Sequence, residues 1–133
     1  MTLRSRFLSG FRFQPELPGD KSITHRAFLL GALASGETVV EGANLGADCA
    51  ATLSAVENLG AKISRDRAET RIEGRSGRLQ PPGRTLNLEN SGTGLRLLLG
   101  VLAGQAFSTE LTGDASLRQI GRASCRERVY VLV

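Results

Sequence analysis

The chain has 133 residues, of which 41% are hydrophobic and 23% charged, and it carries a formal net charge of +4. That composition fits one globular core, and no run approaches the roughly 18 apolar residues that argue for a membrane-spanning helix. The positive charge does not make a nucleic-acid surface: there is one Tyr and no Trp, no basic cluster is interleaved with aromatics, and residues 120–133 alone supply +2.

Residues 1–13 hold Arg4, Arg6 and Arg12 without a long apolar segment or a cleavage site, so no signal peptide is expected. Residues 24–34 read as a nearly apolar, buried helix stopped by Gly36, and residues 37–41 as a strand. After a loop over 42–46, Asp48 is the expected N-cap of a second helix in which Cys49, Leu53, Val56 and Leu59 fall near helical spacing and Gly60 ends the run. Residues 61–65 and 70–74 read as two short strands around the turn Asp66-Arg67, and residues 77–83, with Pro81-Pro82, as a loop. A strand over 84–89, a helix over 92–104 and a strand over 108–112 complete an α-β-α-β-β-β-α-β order, an α/β pattern that is incomplete as a domain. Cys49 and Cys125 are too few and too far apart for a metal or redox motif, so reduced thiols and a cytoplasmic location are expected.

Two stretches carry chemistry. In Pro18-Gly19-Asp20-Lys21-Ser22-Ile23-Thr24-His25-Arg26 a glycine turn delivers a Lys, two hydroxyls and an Arg to the first turns of a helix. Backbone N–H groups and the positive end of the helix dipole gather there, which suits a phosphate. Ser22 and Arg26, four apart, share a helix face, with Lys21 just ahead of them. The plainer reading keeps Ser22 or Thr24 as an N-cap and Lys21 and Arg26 as solvated charges. A Walker A loop is excluded, because Asp20 separates Gly19 from Lys21.

The second stretch, Asn90-Ser91-Gly92-Thr93-Gly94-Leu95-Arg96, repeats the order polar turn, Gly, hydroxyl, Arg before an apolar run. Gly92 and Gly94 permit close backbone approach to a ligand, and Arg96 follows about one helical turn after Gly92. It is not a dinucleotide fingerprint, since Leu97 occupies the third glycine position.

Together with Leu111-Thr112-Gly113-Asp114-Ala115-Ser116-Leu117 and the run from Gly31 to Thr38, these blocks and their spacing closely resemble the N-terminal part of the 5-enolpyruvylshikimate-3-phosphate (EPSP) synthase family, over roughly residues 17–118. The resemblance implies an α/β fold that is part of one lobe of the two-lobed enolpyruvyl transferase fold, built from βαβαββ repeats. It implies transfer of the enolpyruvyl group of phosphoenolpyruvate to the 5-hydroxyl of shikimate 3-phosphate, in the shikimate route to aromatic amino acids. The family works by addition and elimination without a metal or organic cofactor. Carried over by motif, Lys21 touches both substrates and is catalytic, Ser22 and Arg26 bind shikimate 3-phosphate, and Gly92 binds phosphoenolpyruvate. Asn90, Thr93 and Arg96 form the surrounding shell.

The chemistry of the residues agrees. Two substrates that each carry a phosphate and a carboxylate need several cations and oriented N–H dipoles to offset their repulsion. Arg suits forked oxyanion contacts, whereas Lys21 is a compact charge able to serve two anions or a proton transfer.

The resemblance stops where the family continues with an Arg-Pro segment whose Arg binds phosphoenolpyruvate. Ile120 stands at that position, and the residues after it match nothing in the family. Residues 1–119 are therefore expected to be an N-terminal piece of an enolpyruvyl transferase, inactive alone, and residues 120–133 an unrelated, artefactual tail set aside from the fold. A monomer is expected for the full-length enzyme. Two other readings are the related transferase that acts on UDP-N-acetylglucosamine, which begins with a Lys-Asn-type motif unlike Asp20-Lys21-Ser22, and a non-catalytic anion-binding piece.

Overall fold

The computed structural model describes residues 4, 10, 12, 14, 17–66, 69–120 and 129–131. It is a mixed α/β arrangement of four helices and six short strands among those residues: α1 (Lys21–Leu33), β1 (Glu37–Glu41), α2 (Ala47–Asn58), β2 (Lys62–Arg65), β3 (Glu69–Glu73), β4 (Leu86–Asn87), α3 (Gly92–Ala103), β5 (Thr109–Thr112), α4 (Ala115–Ile120) and β6 (Val129–Val131). The strands form two sheets. One is antiparallel in the order β1-β3-β2, and the other is parallel in the order β4-β5-β6.

The antiparallel sheet shows why β3 is its centre. Thr70 and Ile72 turn inward and are buried, while Arg71 and Glu73 turn out, the two-residue alternation of a half-buried strand. On the outer face Arg71 bonds Glu37 at 2.9 Å and Glu69 at 2.7 Å, and Lys62 pairs with Glu73 at 3.1 Å. Exposed pairs of this kind add little each, and they keep the face wet. The inner face meets α1, where a Cβ on Gly31 would stand 3.2 Å from the Thr38 Cβ and 3.4 Å from the Ile72 Cδ1. Gly31 thus lets helix and sheet approach closely.

The parallel sheet follows from the connection β4-α3-β5, a helical crossover between paired strands (Leu86 opposite Leu111). Leu95, Leu98, Leu99 and Leu102 form the buried stripe of α3 and join Phe28, Leu53, Val56, Leu59, Ile72, Leu86, Leu88 and Leu111 in one core. Burying each such side chain contributes roughly 1.5–3 kcal/mol relative to leaving it in water.

Several expectations change in detail. The first helix begins at Lys21 rather than Thr24, because Asp20 is its N-cap and accepts a 2.7 Å bond from the Ile23 N–H; neither Ser22 nor Thr24 caps it. It is not buried all round, since Ile23 and Leu30 face outward at 68% and 66% exposure. Asp48 is not the cap of the second helix: α2 starts at Ala47 with Gly46 in the capping position, where the Asn44 Oδ1 accepts from the Gly46 N–H at 2.9 Å. Asp48 is left free to face another element. The strand expected over 84–89 shortens to two residues, and α4 was not foreseen. Of the Asp66-Arg67 turn, Asp66 donates its N–H to the Glu69 carbonyl at 3.0 Å, and Arg67 lies outside the described residues. Within residues 120–133, Val129–Val131 pair with Thr109–Leu111, and residues 121–128 lie outside the described residues.

A distant loop closes the end of α1. The N–H groups of Gly74, Arg75, Ser76 and Gly77 bond the carbonyls of Gly36, Ala32, Ala34 and Leu33 at 2.7–2.9 Å. Helix ends leave carbonyls without intrahelical partners, and residues 74–77 supply them. Gly74 is required there, since a Cβ would overlap the Ala34 and Gly31 carbonyl oxygens.

Candidate anion-binding site

Three helix starts lie on one side of the fold. α1 and α2 run side by side in the same direction, which two side-chain contacts show: Lys21 meets Asp48, and one turn later His25 meets Thr52. Both contacts span 27 residues, the constant offset of two parallel helices in register, with i and i+4 on each facing the partner. Thr52 in turn abuts the start of α3. A Cβ on Gly94 would stand 2.5 Å from the Thr52 Oγ1 and 2.6 Å from the Ser91 Oγ. Only glycine fits between them.

At the start of α1, Lys21, Ser22 and Arg26 are all exposed. The Lys21 Nζ pairs with the Asp48 carboxylate, and that hydrogen bond holds the ammonium pKa above its ordinary value against a smaller opposing effect of desolvation. The Arg26 Nη1 donates to the Ser22 carbonyl at 2.9 Å, so the guanidinium folds back over the first turn. Asp48 is thus the carboxylate that faces Lys21, whereas Asp20 is engaged as the α1 cap and Arg26 is bonded to a backbone carbonyl.

The turn before α1 is fixed by the loop before α2. The Thr24 Oγ1 donates to the Asp20 carbonyl at 2.8 Å and accepts from the Asn44 N–H at 3.0 Å, while the Asn44 Nδ2 donates to the Gly19 carbonyl at 3.0 Å. Gly19 has no room for a Cβ, which would overlap the Gly42 carbonyl oxygen. These contacts tie the turn that precedes Lys21 and Ser22 to the loop before α2.

At the start of α3 the cap is Ser91, fully buried, whose Oγ accepts from the Gly94 N–H at 3.1 Å. Gly92 is half-buried in the first turn, and Asn90, Thr93 and Arg96 are exposed. The motif residues of the two stretches thus stand on neighbouring helix starts, joined through Thr52 rather than by contact between their charges. A groove of about 410 Å³ between α2 and β4, lined by residues including Asn58, Arg84 and Glu89, contains none of them. Among the described residues no cluster of His, Cys, Asp and Glu is arranged to hold a metal ion, and no helix is long and apolar enough to cross a membrane.

Residues 14–120 match the family model for EPSP synthase (3-phosphoshikimate 1-carboxyvinyltransferase). The chain belongs to the EPSP synthase family. It is 50% identical over 113 residues to the 3-phosphoshikimate 1-carboxyvinyltransferase of Geobacillus thermodenitrificans, a match covering 84% of this chain and 26% of that protein. It is 46% identical over 118 residues to the enzyme of that name from Limosilactobacillus fermentum, covering 88% and 27% respectively. The solved EPSP synthase of Acinetobacter baumannii superposes with a TM-score of 0.73 at 43% identity, over 77% of this chain and 23% of that one. The chain thus spans about a quarter of the length of the curated relatives it matches.

Sequence reasoning missed four polar residues in this part of the EPSP synthase fold. Asp48, Asn44, His25 and Thr52 all hold the helix starts in place. His25 is fully buried, and its pKa lies below the ordinary imidazole value, first through desolvation and then through the nearby Lys21 charge. Its position inside a helix with buried neighbours was visible in the sequence. Its partner, on another helix, was not.

Proposed function

We propose that this chain carries the N-terminal substrate-binding part of an enolpyruvyl transferase acting on shikimate 3-phosphate and phosphoenolpyruvate. The observation that carries the reading is the grouping of three helix starts, with Lys21, Arg26 and Arg96 exposed on the first turns of α1 and α3. It falls within the residues that match the family and relatives named for this reaction.

In the proposed reaction an ether bond forms between the shikimate 5-oxygen and C2 of phosphoenolpyruvate. The C2–O bond to phosphate breaks, and the hydroxyl proton leaves with inorganic phosphate. Lys21 serves both anions, Ser22 and Arg26 hold shikimate 3-phosphate, and Gly92 lets the α3 backbone approach phosphoenolpyruvate, with Asn90, Thr93 and Arg96 around it. Charge-assisted bonds to phosphate are the strong polar contacts available to such a site, and N–H groups at a helix start add to them. No metal or organic cofactor has a part in this reading. A cytoplasmic setting and a monomeric full-length enzyme belong to it.

Residues 1–119 are read as the part that acts in this way, and residues 120–133 as an unrelated tail outside it. The chain alone is expected to bind without turnover, because it spans about a quarter of its relatives' length and catalysis needs groups placed around both reacting centres. Calorimetry with each substrate, beside a phosphate-release assay, tests this. Binding of shikimate 3-phosphate without turnover is expected; no binding of either substrate would overturn the reading.

A further inference from the structure

The pair His25–Thr52 joins α1 to α2, and Thr52 abuts the start of α3. The His25 Nδ1 lies 2.8 Å from the Thr52 Oγ1, and both side chains are fully buried. On its other side the Thr52 Oγ1 crowds Gly94, two residues after Gly92, at the distance that excludes any Cβ. One turn above, on the same faces of the same two helices, stand Lys21 and Asp48.

The direction of the His25–Thr52 bond follows from what surrounds it. The Thr52 hydroxyl is within 3.4 Å of the Asp48 carbonyl, the usual acceptor for a helical threonine, which turns its lone pairs toward the ring. The His25 Nε2 is buried with no hydrogen-bond partner. A bare N–H there would be costlier than a bare lone pair. Both considerations place the proton on Nδ1, donated to Thr52, and leave Nε2 unprotonated.

We propose that His25 and Thr52 are a positioning pair: the Nδ1–H to Oγ1 bond fixes the offset between α1 and α2 and seats Thr52 against Gly94, so that the phosphate-binding turn of α1 and the start of α3 are held at one spacing before ligand arrives. Neither residue touches substrate. Their effect is on preorganisation, which governs affinity when the ligand must meet groups from separate elements. This inference rests on the reading of Lys21, Ser22 and Arg26 as the shikimate 3-phosphate site.

The chain contains a single histidine, so the tautomer can be read from one pair of imidazole nitrogen resonances without assignment. The test uses the 133-residue chain, with nitrogen NMR of the ring and calorimetric titration with shikimate 3-phosphate, on wild type, Thr52→Val, Thr52→Ser and His25→Asn. The Nδ1–H tautomer is expected in wild type and its signature is expected to shift in Thr52→Val. Affinity should fall about tenfold or more in Thr52→Val and stay within about threefold in Thr52→Ser, which keeps the hydroxyl. His25→Asn should also stay within about threefold, because the Asn amide nitrogen sits on Cγ as Nδ1 does and can make the same donation. If Thr52→Val does not fold, the decision falls to His25→Asn against His25→Leu, with only the first retaining affinity. An Nε2–H tautomer in wild type, or a folded Thr52→Val or His25→Leu that binds as wild type does, would overturn the pair's role while the substrate reading stands. A wild-type chain that binds neither substrate would overturn both.

Discussion

Lys21, the first residue of α1, faces Asp48 in the first turn of α2, so a cation and an anion from two adjacent helix starts neutralise one another where an anionic ligand is proposed to bind. Replacing Asp48 by Asn removes the carboxylate charge and leaves only a neutral amide acceptor in place of the charge-assisted bond that raises the Lys21 pKa. The Lys21 ammonium should then titrate at lower pH than in wild type. The chain has two lysines, Lys21 and Lys62, so side-chain NMR across the alkaline range can follow Lys21 individually. An unchanged Lys21 titration would mean that the pair does not form in solution.

Lys21→Ala should weaken shikimate 3-phosphate binding by at least about tenfold, since a charge-assisted contact to phosphate is lost. Arg78→Ala, at an exposed position in the loop after β3, should leave binding within about twofold, as surface changes remote from a site usually do. Grafting residues 14–120 into a full-length relative extends the comparison to kcat/KM, where Lys21→Ala should again be the more damaging. Equal effects of the two substitutions would remove Lys21 from the site.

Acid should destabilise the chain through His25 before its carboxylates protonate. The folded state holds this imidazole below its ordinary value of 6.5, so between the folded and unfolded pKa values the unfolded chain binds more protons. Stability therefore rises with pH in that window: it is fully present above the ordinary value and is lost as pH falls toward the folded pKa. Urea unfolding at about pH 7.5 and about pH 5.5 should show the loss in wild type and a much smaller one in His25→Asn. The same slope in both proteins would assign the effect elsewhere.

Two glycine substitutions should move stability in opposite directions. Gly74→Ala drives a Cβ into the Ala34 and Gly31 carbonyls and must shift backbone, costing on the order of 2 kcal/mol or more, as substitutions against a special backbone geometry do. Gly100→Ala, within α3 with no atom near the new Cβ, should stabilise by about 0.5–1 kcal/mol through helix propensity. Chemical denaturation of both variants decides, and a neutral Gly74→Ala would show that the loop at 74–77 yields easily.

The element order from α1 to β5 was legible because each segment states its own period or its own stop. The Glu37–Glu41 strand matches its expected bounds, and α3 is bounded by Ser91 and Gly104 as its polar turn and terminal glycine imply. The two helix-start motifs were legible for the same local reason. What could not be read is any relationship with a long span. Nothing in the composition around Asp48 distinguishes a helix cap from a partner for Lys21, because the choice depends on the offset between α1 and α2. Pairing across 27 residues is set by packing, and the identity of Gly94 makes sense only once Thr52 is seen beside it. His25 looked like one more residue of an apolar helix, although burial makes its unpartnered Nε2 consequential.

Both ends of α1 are completed by chain that comes after it: Asn44 secures the turn at its start, and residues 74–77 accept the role of closing its last carbonyls. During synthesis the first helix is thus made early and finished late. Until residue 77 has emerged, its C-terminal carbonyls lack these partners, and before residue 44 the turn carrying Lys21 has only its local Asp20 and Thr24 bonds to hold it. An emerging chain shorter than this has the whole Pro18–Arg26 motif in its sequence without the later contacts that hold it, so the proposed anion site is complete only when the antiparallel sheet closes over the helix.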